Sequence, residues 1–553
     1  MSISDIFHQR SQPGIPPSST SLFKMLQIGT LDKHVPLLAV VCFVLVAYVL
    51  SRKYQALPLP PSLKPHPLLG HLLALPSANE HIVYKEIGDQ MNSDIISFKV
   101  LGQVVIVLNS ANAASELLVK RSAIYSDRTE LPMLNDEALT GWGNNTVFLR
   151  HGERWKKQRR ITQTALHPTF CKELWSNMEN HTRLSVQRLL QNREDISSEF
   201  RWMAAATMLS CLYGYKASYP VDDWVELVET AVDKACQAAS TSNFYVNIIP
   251  WLKYVPEWFP GASWKRKAHA WRAEKDKLIN GPFEWTKTQM ASETASPSMV
   301  KDLLDNLMAN PPPKNEAKEE EDIIKWAAGG MYAAGAETTV ASLMAFVQAM
   351  IMHSEVQEKV QAELDAVVGE DRLPELSDRD ALPYLDCVLK ESLRWHSPLP
   401  LGVPHVCSQD DVYKGYMVPK GAIVFGNVWA ISNESAVYPE PRTFNPDRYQ
   451  GESLPAAPIF GFGRRQVAIQ PVEIPRLIQN FSICPGAHFA ESSMFLALAT
   501  LLSVFKLLPS PEKALSATDT VPNRLVVHPE PFACTVAPRS ERRRRILEEW
   551  NGV

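Results

Sequence analysis

From Ile323 to His353 the chain is apolar or small at nearly every position, with few charges. A helix that is apolar on every face is a buried one, so this run predicts a central core helix. Directly after it, Val356, Val360, Leu364 and Val367 recur at three- and four-residue spacing, the mark of a helix with one buried side. Ile95–Leu108 and Ala422–Phe425 read instead as strands, the second led in by a ValProLysGly turn at 418–421. The expected fold is mainly α with a small β portion and no internal repeat. The stretch NPPPKNEAKEEED, Asn310 to Asp322, predicts an exposed loop between helices.

Near the start, Val35–Leu50 is an uncharged run of 16 residues, close to the roughly 17–25 that a spanning helix needs. It predicts a transmembrane anchor at 35–50 behind an N-terminal lead at 1–34. Arg52, Lys53 and Lys64 follow the run, against Lys24 and Lys33 before it, which places the large C-terminal part in the cytosol by the positive-inside rule. Prolines 58, 60, 61, 65 and 67 fix φ and predict an extended, proline-rich linker at 51–70. The body then spans 71–540, and Arg542–Arg545 opens a solvated basic tail at 541–553.

Composition narrows the function. The 553 residues are 45% hydrophobic and 21% charged, and 56 Lys+Arg against 60 Asp+Glu give a net charge of −4. The basic footprint that nucleic acid demands is absent. The eight cysteines (42, 171, 211, 236, 387, 407, 484, 534) lie far apart with no CxxC pair, fitting neither a disulfide framework nor a zinc site.

Three constellations carry chemistry. The central run places Gly335, Glu337, Thr338 and Thr339 inside an apolar helix. Gly relaxes the backbone ladder, and a Thr hydroxyl can bond back to a carbonyl one turn earlier, so together they can open a notch beside a carboxyl able to deliver protons. In LKESLRWHSP, Glu391 and Arg394 lie at i, i+3 and can pair, with Arg448 of FNPDRY a candidate third member of a buried network. Finally, FGFGRR (460–465) and ICPGAHFAES set Cys484 beside Pro and Gly in a tight loop ahead of a helix beginning near Ala487. A thiolate faced by backbone N–H groups there makes a good metal ligand.

The order and spacing of these blocks resemble the cytochrome P-450 family of heme-thiolate monooxygenases, from the anchor to about residue 538. The oxygen-binding helix signature matches at Ala334 to Thr339, the E-x-x-R motif at Glu391 and Arg394, the following arginine at Arg448, and the W-x-x-x-R pair at Trp155 and Arg159. GERWKKQRR and VYPEPRTFNPDRY look like membrane-bound, microsomal-type members of fungal origin. The resemblance implies heme b with Cys484 as axial thiolate, Glu337 and Thr338 as the proton-handling catalytic pair, and Glu391, Arg394 and Arg448 as a structural network. Trp155, Arg159, Phe460, Gly463, Arg465 and Gly486 would be the cofactor-binding residues, an Arg fork suiting a heme propionate.

The activity implied by the resemblance is insertion of one oxygen atom from O2 into a lipophilic small molecule (terpenoid, steroid-like or polycyclic aromatic), in fungal secondary metabolism or xenobiotic oxidation. No flavin or nicotinamide fingerprint is present, so the implied electron donor is a separate NADPH-cytochrome P-450 reductase, or cytochrome b5, docking near Arg464 and Lys156. The implied location is the endoplasmic reticulum membrane, single-pass, with the catalytic domain cytosolic. Substrate contacts are expected from 126–147, 235–258, 329–339 and 397–405.

The segment before the cysteine departs from the family. Members have one residue between the arginine matching Arg465 and the cysteine, and here Gln466–Ile483 puts 18 there, a surplus of 17. Loop closure alone tolerates such a length. The insert is nevertheless rich in Val, Ile, Leu and Phe, unlike an exposed loop, and an intron translated in frame accounts for it better. A membrane protein of the same ancestry that is catalytically silent because of the insertion is therefore the alternative.

Overall fold

The computed structural model describes residues 57–76, 78–192, 195–240, 243–451, 454–462, 484–510, 520–522 and 524–550. The expected anchor at 35–50, the lead, the linker as far as residue 56, Gly463, Arg464, Arg465 and the surplus before Cys484 all lie outside them. The chain divides into two units. The small one, residues 1–58 with 414–417, has among its described residues a Lys414–Gly415 turn at positive φ and a bond from the Met417 N–H to the Pro58 carbonyl of 2.8 Å.

The large unit follows the hydrophobic pattern. Helix α1 (Glu80–Gln90) lays Tyr84 and Ile87 on a hairpin of β1 (Ile95–Val100) and β2 (Gln103–Leu108). Next come β3 (Asp127–Arg128), α2 (Glu153–Ala165) and α3 (Trp175–Arg188). Helix α4 (Ile196–Tyr213) starts where the Asp195 carboxylate accepts the Ser198 N–H, and stops at Gly214, whose φ of 69° costs little without a Cβ. Asp222 caps α5 (Asp223–Ala239), and α6 (Ser263–Ala291) and α7 (Met299–Ala309) lead to α8 (Ala317–Met352), which is buried along most of its length.

Beyond α8 lie α9 (Ser354–Val367), α10 (Pro383–Trp395), β4 (His405–Val406), β5 (Ile423–Gly426), α11 (Ala487–Val504), β6 (Phe505–Pro509), β7 (Cys534–Pro538) and α12 (Glu541–Glu549). The larger sheet runs β1-β2-β5-β4-β3, with β2 parallel to β5 (Val105 opposite Ile423) and the other pairs antiparallel. A second sheet pairs β6 with β7. Small residues let helices approach α8 closely: a Cβ at Gly329 would lie 2.6 Å from Ile279 Cδ1 on α6. Among the described helices, α8 and α11 are long and apolar enough to cross a membrane, but 83% and 78% of their apolar windows are buried in the protein. They are core.

Several expectations from the sequence need correction. The basic tail is solvated only on one side: Arg542 and Arg545 are exposed, but Ser540 caps α12, Leu547 is fully buried, and Arg543, 3% exposed, ion-pairs with Asp365 of α9. An acidic partner and one apolar face outweigh the charge run. The linker is no free spacer from Leu59 onward, because Ser97 of β1 donates its N–H to Pro61 and its hydroxyl to Pro60. Residues 317–322, expected in a loop, form the first turns of α8, where Glu319 and Glu320 suit the positive helix end and Lys157, Arg154 and Lys287 pair with Glu320, Asp322 and Glu321.

Candidate active site

Two of the expected constellations come from helices that meet in the core. Between Ile323 and Ile351 of α8 one residue is exposed, Ala334, and besides the isolated half-buried Lys325 and Met344 the pattern opens only around it. Ala334 is exposed and Gly335 and Thr338 are half-buried, while their neighbours along the helix are buried. In a helix enclosed by protein, exposure at i, i+1 and i+4 marks one side facing an internal cavity. The Thr338 hydroxyl donates to the Ala334 carbonyl at 2.8 Å, so both polar groups lie on that open side. The helix is unbroken there, which corrects the expectation that Gly335 loosens the ladder. Its lack of a side chain serves packing, since a Cβ would stand 3.0 Å from the Met208 sulfur of α4. Glu337, about 100° around the helix from Thr338, is mostly buried and binds His528 Nε2 through Oε1 at 2.6 Å.

Cys484 enters from the other direction. Its N–H donates to the Phe460 carbonyl at 2.8 Å, so the two described ends of the glycine-rich segment are clasped together whatever lies between them. Helix α11 begins at Ala487, as the sequence implies, and presents its positive end toward the cysteine loop. The cysteine is exposed at its surface. Burial pushes its thiol up, opposed by the Gly486 N–H and then by the Arg159 charge. A Cβ at Gly486 would meet the sulfur at 3.8 Å, an ordinary contact, so it is the residue's N–H rather than its missing side chain that bears on the sulfur.

Around the sulfur the charges are positive. Arg159 of α2 senses Cys484, and Trp155 sits one turn before it, its ring 5.2 Å from that of His151. Arg128 on β3 donates to the carbonyls of Val403 and Pro404 at 2.8 and 3.2 Å; burial, then the like charge of Arg159, brings it down to about 10, and Asp127 opposes that only in part. His405 on β4, paired with β3, bonds the Tyr125 carbonyl at 2.7 Å and is held well below its usual range by burial and then by Arg128. Sequence reasoning placed Arg128 and His405 only within the expected substrate segments 126–147 and 397–405, with no role of their own, and missed His528. They come from short strands and from a segment without regular structure, where no periodicity or motif singles out one residue.

Glu391 and Arg394 meet with no exposure to solvent. The guanidinium places Nε and Nη2 on the two carboxylate oxygens at 2.7 Å each, and Arg448 adds Nε at 3.2 Å. Arg394 also serves the Ser432 and Pro441 carbonyls and Arg448 the Pro439 and Thr443 carbonyls, so this cluster ties α10 to the chain leading toward the cysteine loop. A cleft in the same unit is bordered by Leu131, Ile248, Leu401, Phe425 and Leu525, with Arg128 on its wall. Parts of the expected segments 126–147, 235–258 and 397–405 border it. Residues 329–339 do not, and 75–84 and 520–527 do so without having been expected.

A family model for cytochrome P-450 matches residues 60–536. The chain belongs to the cytochrome P-450 family. Its relatives include cytochrome P-450 monooxygenase 208 of Postia placenta, 35% identical over 513 residues that cover 91% of this chain and 95% of that one. Another, tryptamine 4-monooxygenase of Psilocybe cyanescens, is 32% identical over 513 residues, covering 91% and 96%. A zebrafish cytochrome P-450 structure shares the fold at a TM-score of 0.64 and 23% identity, covering 83% of this chain and all of that one. This P-450 is accordingly an oxidoreductase of the monooxygenase type, mainly helical with a small β portion.

Family and fold imply a heme held through a thiolate, and the described residues of this P-450 fit that group. Two guanidinium groups and an imidazole face one region with Asp127 as the acid beside them, and burial penalises their charged forms. Such a donor set is satisfied by a buried dianion, which the two propionates of heme b supply.

Proposed function

We propose that the chain is a heme-thiolate monooxygenase of the endoplasmic reticulum that inserts one oxygen atom from O2 into a lipophilic small molecule, with Cys484 as the axial ligand. The observation that carries this reading is an accessible Cys484 sulfur beside the Arg159 charge, with Arg128 next to Arg159, and the open side of α8 at Ala334 and Thr338 supports it. When bound, heme supplies iron chemistry that activates O2, tuned by the sulfur ligand. The chain's own residues do the rest. Arg159, Trp155 and Arg128 hold the propionates, while the Gly486 N–H and the α11 terminus stabilise the thiolate. The Thr338 hydroxyl, on the open side of α8, holds a proton donor toward the cavity, and Glu337, tied to His528, acts from beside it.

Apolar walls of the cleft at Leu131, Ile248, Leu401, Phe425 and Leu525 support a terpenoid, steroid-like or polycyclic aromatic substrate, and the tryptamine 4-monooxygenase among the relatives supports aromatic-ring oxidation. Electrons come from NADPH-cytochrome P-450 reductase, with cytochrome b5 as a second donor. Lys156, exposed on α2 and paired with Glu153 at 2.7 Å, offers part of a docking face, and the other expected contact, Arg464, lies outside the described residues. The test is incubation with reductase, NADPH and 18O2 across these substrate classes. One 18O atom per product supports the reading, and unlabelled product or none refutes it. The second reading, a silent chain, is favoured by the surplus before Cys484.

A further inference from the structure

Glu337 has a partner far away in sequence. His528 Nε2 lies 2.6 Å from its Oε1, and the side chains are 13% and 12% exposed respectively. Charged groups face this pair from several elements. On α5, Glu229 and Cys236 sense its charge, with Asp233 beside them. On α4, Arg201 pairs with Glu229 at 3.0 Å. Beyond α10, His396 senses His528, and in the segment of His528 itself Arg524 pairs with Asp233.

The pairing is selective. Arg524 neutralises Asp233 and Arg201 neutralises Glu229, so among the described residues Glu337 and His528 are left to each other. Arg201 and Glu229 are also the wet end of the cluster, 38% and 42% exposed, whereas Thr338, next to Glu337, opens on the interior cavity. The order from solvent inward is thus Arg201–Glu229, then His528–Glu337, then the open side of α8. A carboxyl in an apolar helix that passes on a proton becomes a buried anion, which is costly unless a partner answers it. An imidazole is the side chain suited to do so near neutral pH.

We propose that His528 is a positioning residue for the oxygenation, which holds the Glu337 carboxyl and reloads it with protons. In each exchange the His528 Nε2–H bond breaks as a Glu337 O–H bond forms, and the imidazole regains a proton from solvent water on the Glu229 side. The inference rests on the monooxygenase reading above.

The test uses the full chain with its reductase and compares wild type with His528→Gln, which keeps a hydrogen-bond donor but cannot pass a proton on. The expected result is an unchanged thiolate band in the reduced carbon-monoxide spectrum, product formation slowed about tenfold or more, peroxide leak raised, and a pH profile flatter than that of the wild type. In addition, a double-mutant cycle of His528→Gln and Glu337→Gln on the unfolding midpoint, read without turnover, should be non-additive. Wild-type turnover, leak and pH profile in His528→Gln, or additive midpoints, would overturn the proposal. Should His528→Gln lose the thiolate band, Glu337→Gln carries the test and must reproduce the leak and the flattened profile, wild-type behaviour again overturning it. A wild-type chain without the band would remove the monooxygenase reading and this proposal with it, whereas a normal His528→Gln in a competent background counts against His528 alone.

Discussion

Glu391→Gln removes a negative charge at the point where two guanidinium groups converge. Oε1 accepts from Arg394 Nη2 at 2.7 Å, from the Asn445 N–H at 2.9 Å and from Arg448 Nε at 3.2 Å, while Oε2 accepts from Arg394 Nε at 2.7 Å. Glutamine turns one of those acceptors into a donor that faces N–H groups. Arg394 has no solvent exposure and the Arg448 side chain 6%, so water cannot take over the lost charge. Breaking a buried pair in this way costs about 3–5 kcal/mol, at least about a fifth of the roughly 5–15 kcal/mol that holds a typical domain together. Denaturant unfolding followed by far-UV circular dichroism should show the midpoint falling in proportion with an unchanged slope. Replacing Glu391 and Arg394 together by Met should cost less than Glu391→Met alone, since no unanswered Arg394 remains. A Glu391→Gln variant within about 1 kcal/mol of wild type, or additive costs in the double variant, would refute this reasoning.

Arg128→Gln and Arg159→Gln should each speed heme loss to apomyoglobin by about ten- to a hundredfold, from a charge-assisted contact of roughly 1.5–3 kcal/mol; unchanged loss rates would remove them from propionate binding. Gly335→Val should lower the unfolding midpoint by about 1–3 kcal/mol through the clash with Met208, whereas Gly335→Ala, which gains helix propensity, should fall close to wild type; equal effects would locate the strain elsewhere. His81, His181 and His396 are held down to about 4 by burial first. The unfolded chain therefore takes up protons below about 6.5 that the folded one refuses, and their stabilising contribution, complete above that pH, is lost as pH falls toward 4; a midpoint that stays flat over this window would contradict it.

The parts of the fold that were legible were those where one local rule decides. The all-apolar run around Val340 could only be a buried helix, and Ile95–Leu108 and Ala422–Phe425 gave strands where alternation and turn residues agreed. The tail misled at Arg543, which reads as solvated like its exposed neighbours Arg542 and Arg545 until Asp365 is brought to it by tertiary packing. Gly335 likewise has a role that only Met208, on another helix, reveals. In the site, Cys484, Glu391 and Arg394 carry local motifs, whereas Arg128, His405 and His528 owe their positions to pairings with residues 191 to 280 positions away in the chain. No window of sequence contains both partners of such a contact.

The most direct test of the central claim is the reduced carbon-monoxide difference spectrum of the 553-residue chain beside a variant lacking Gln466–Ser482. The clasp between Phe460 and Cys484 leaves the sulfur in place whatever the length between them, and the predicted result is the red-shifted thiolate Soret band from both proteins. The band from the deletion alone would make the chain as given the silent form, and its absence from both would contradict Cys484 as the ligand.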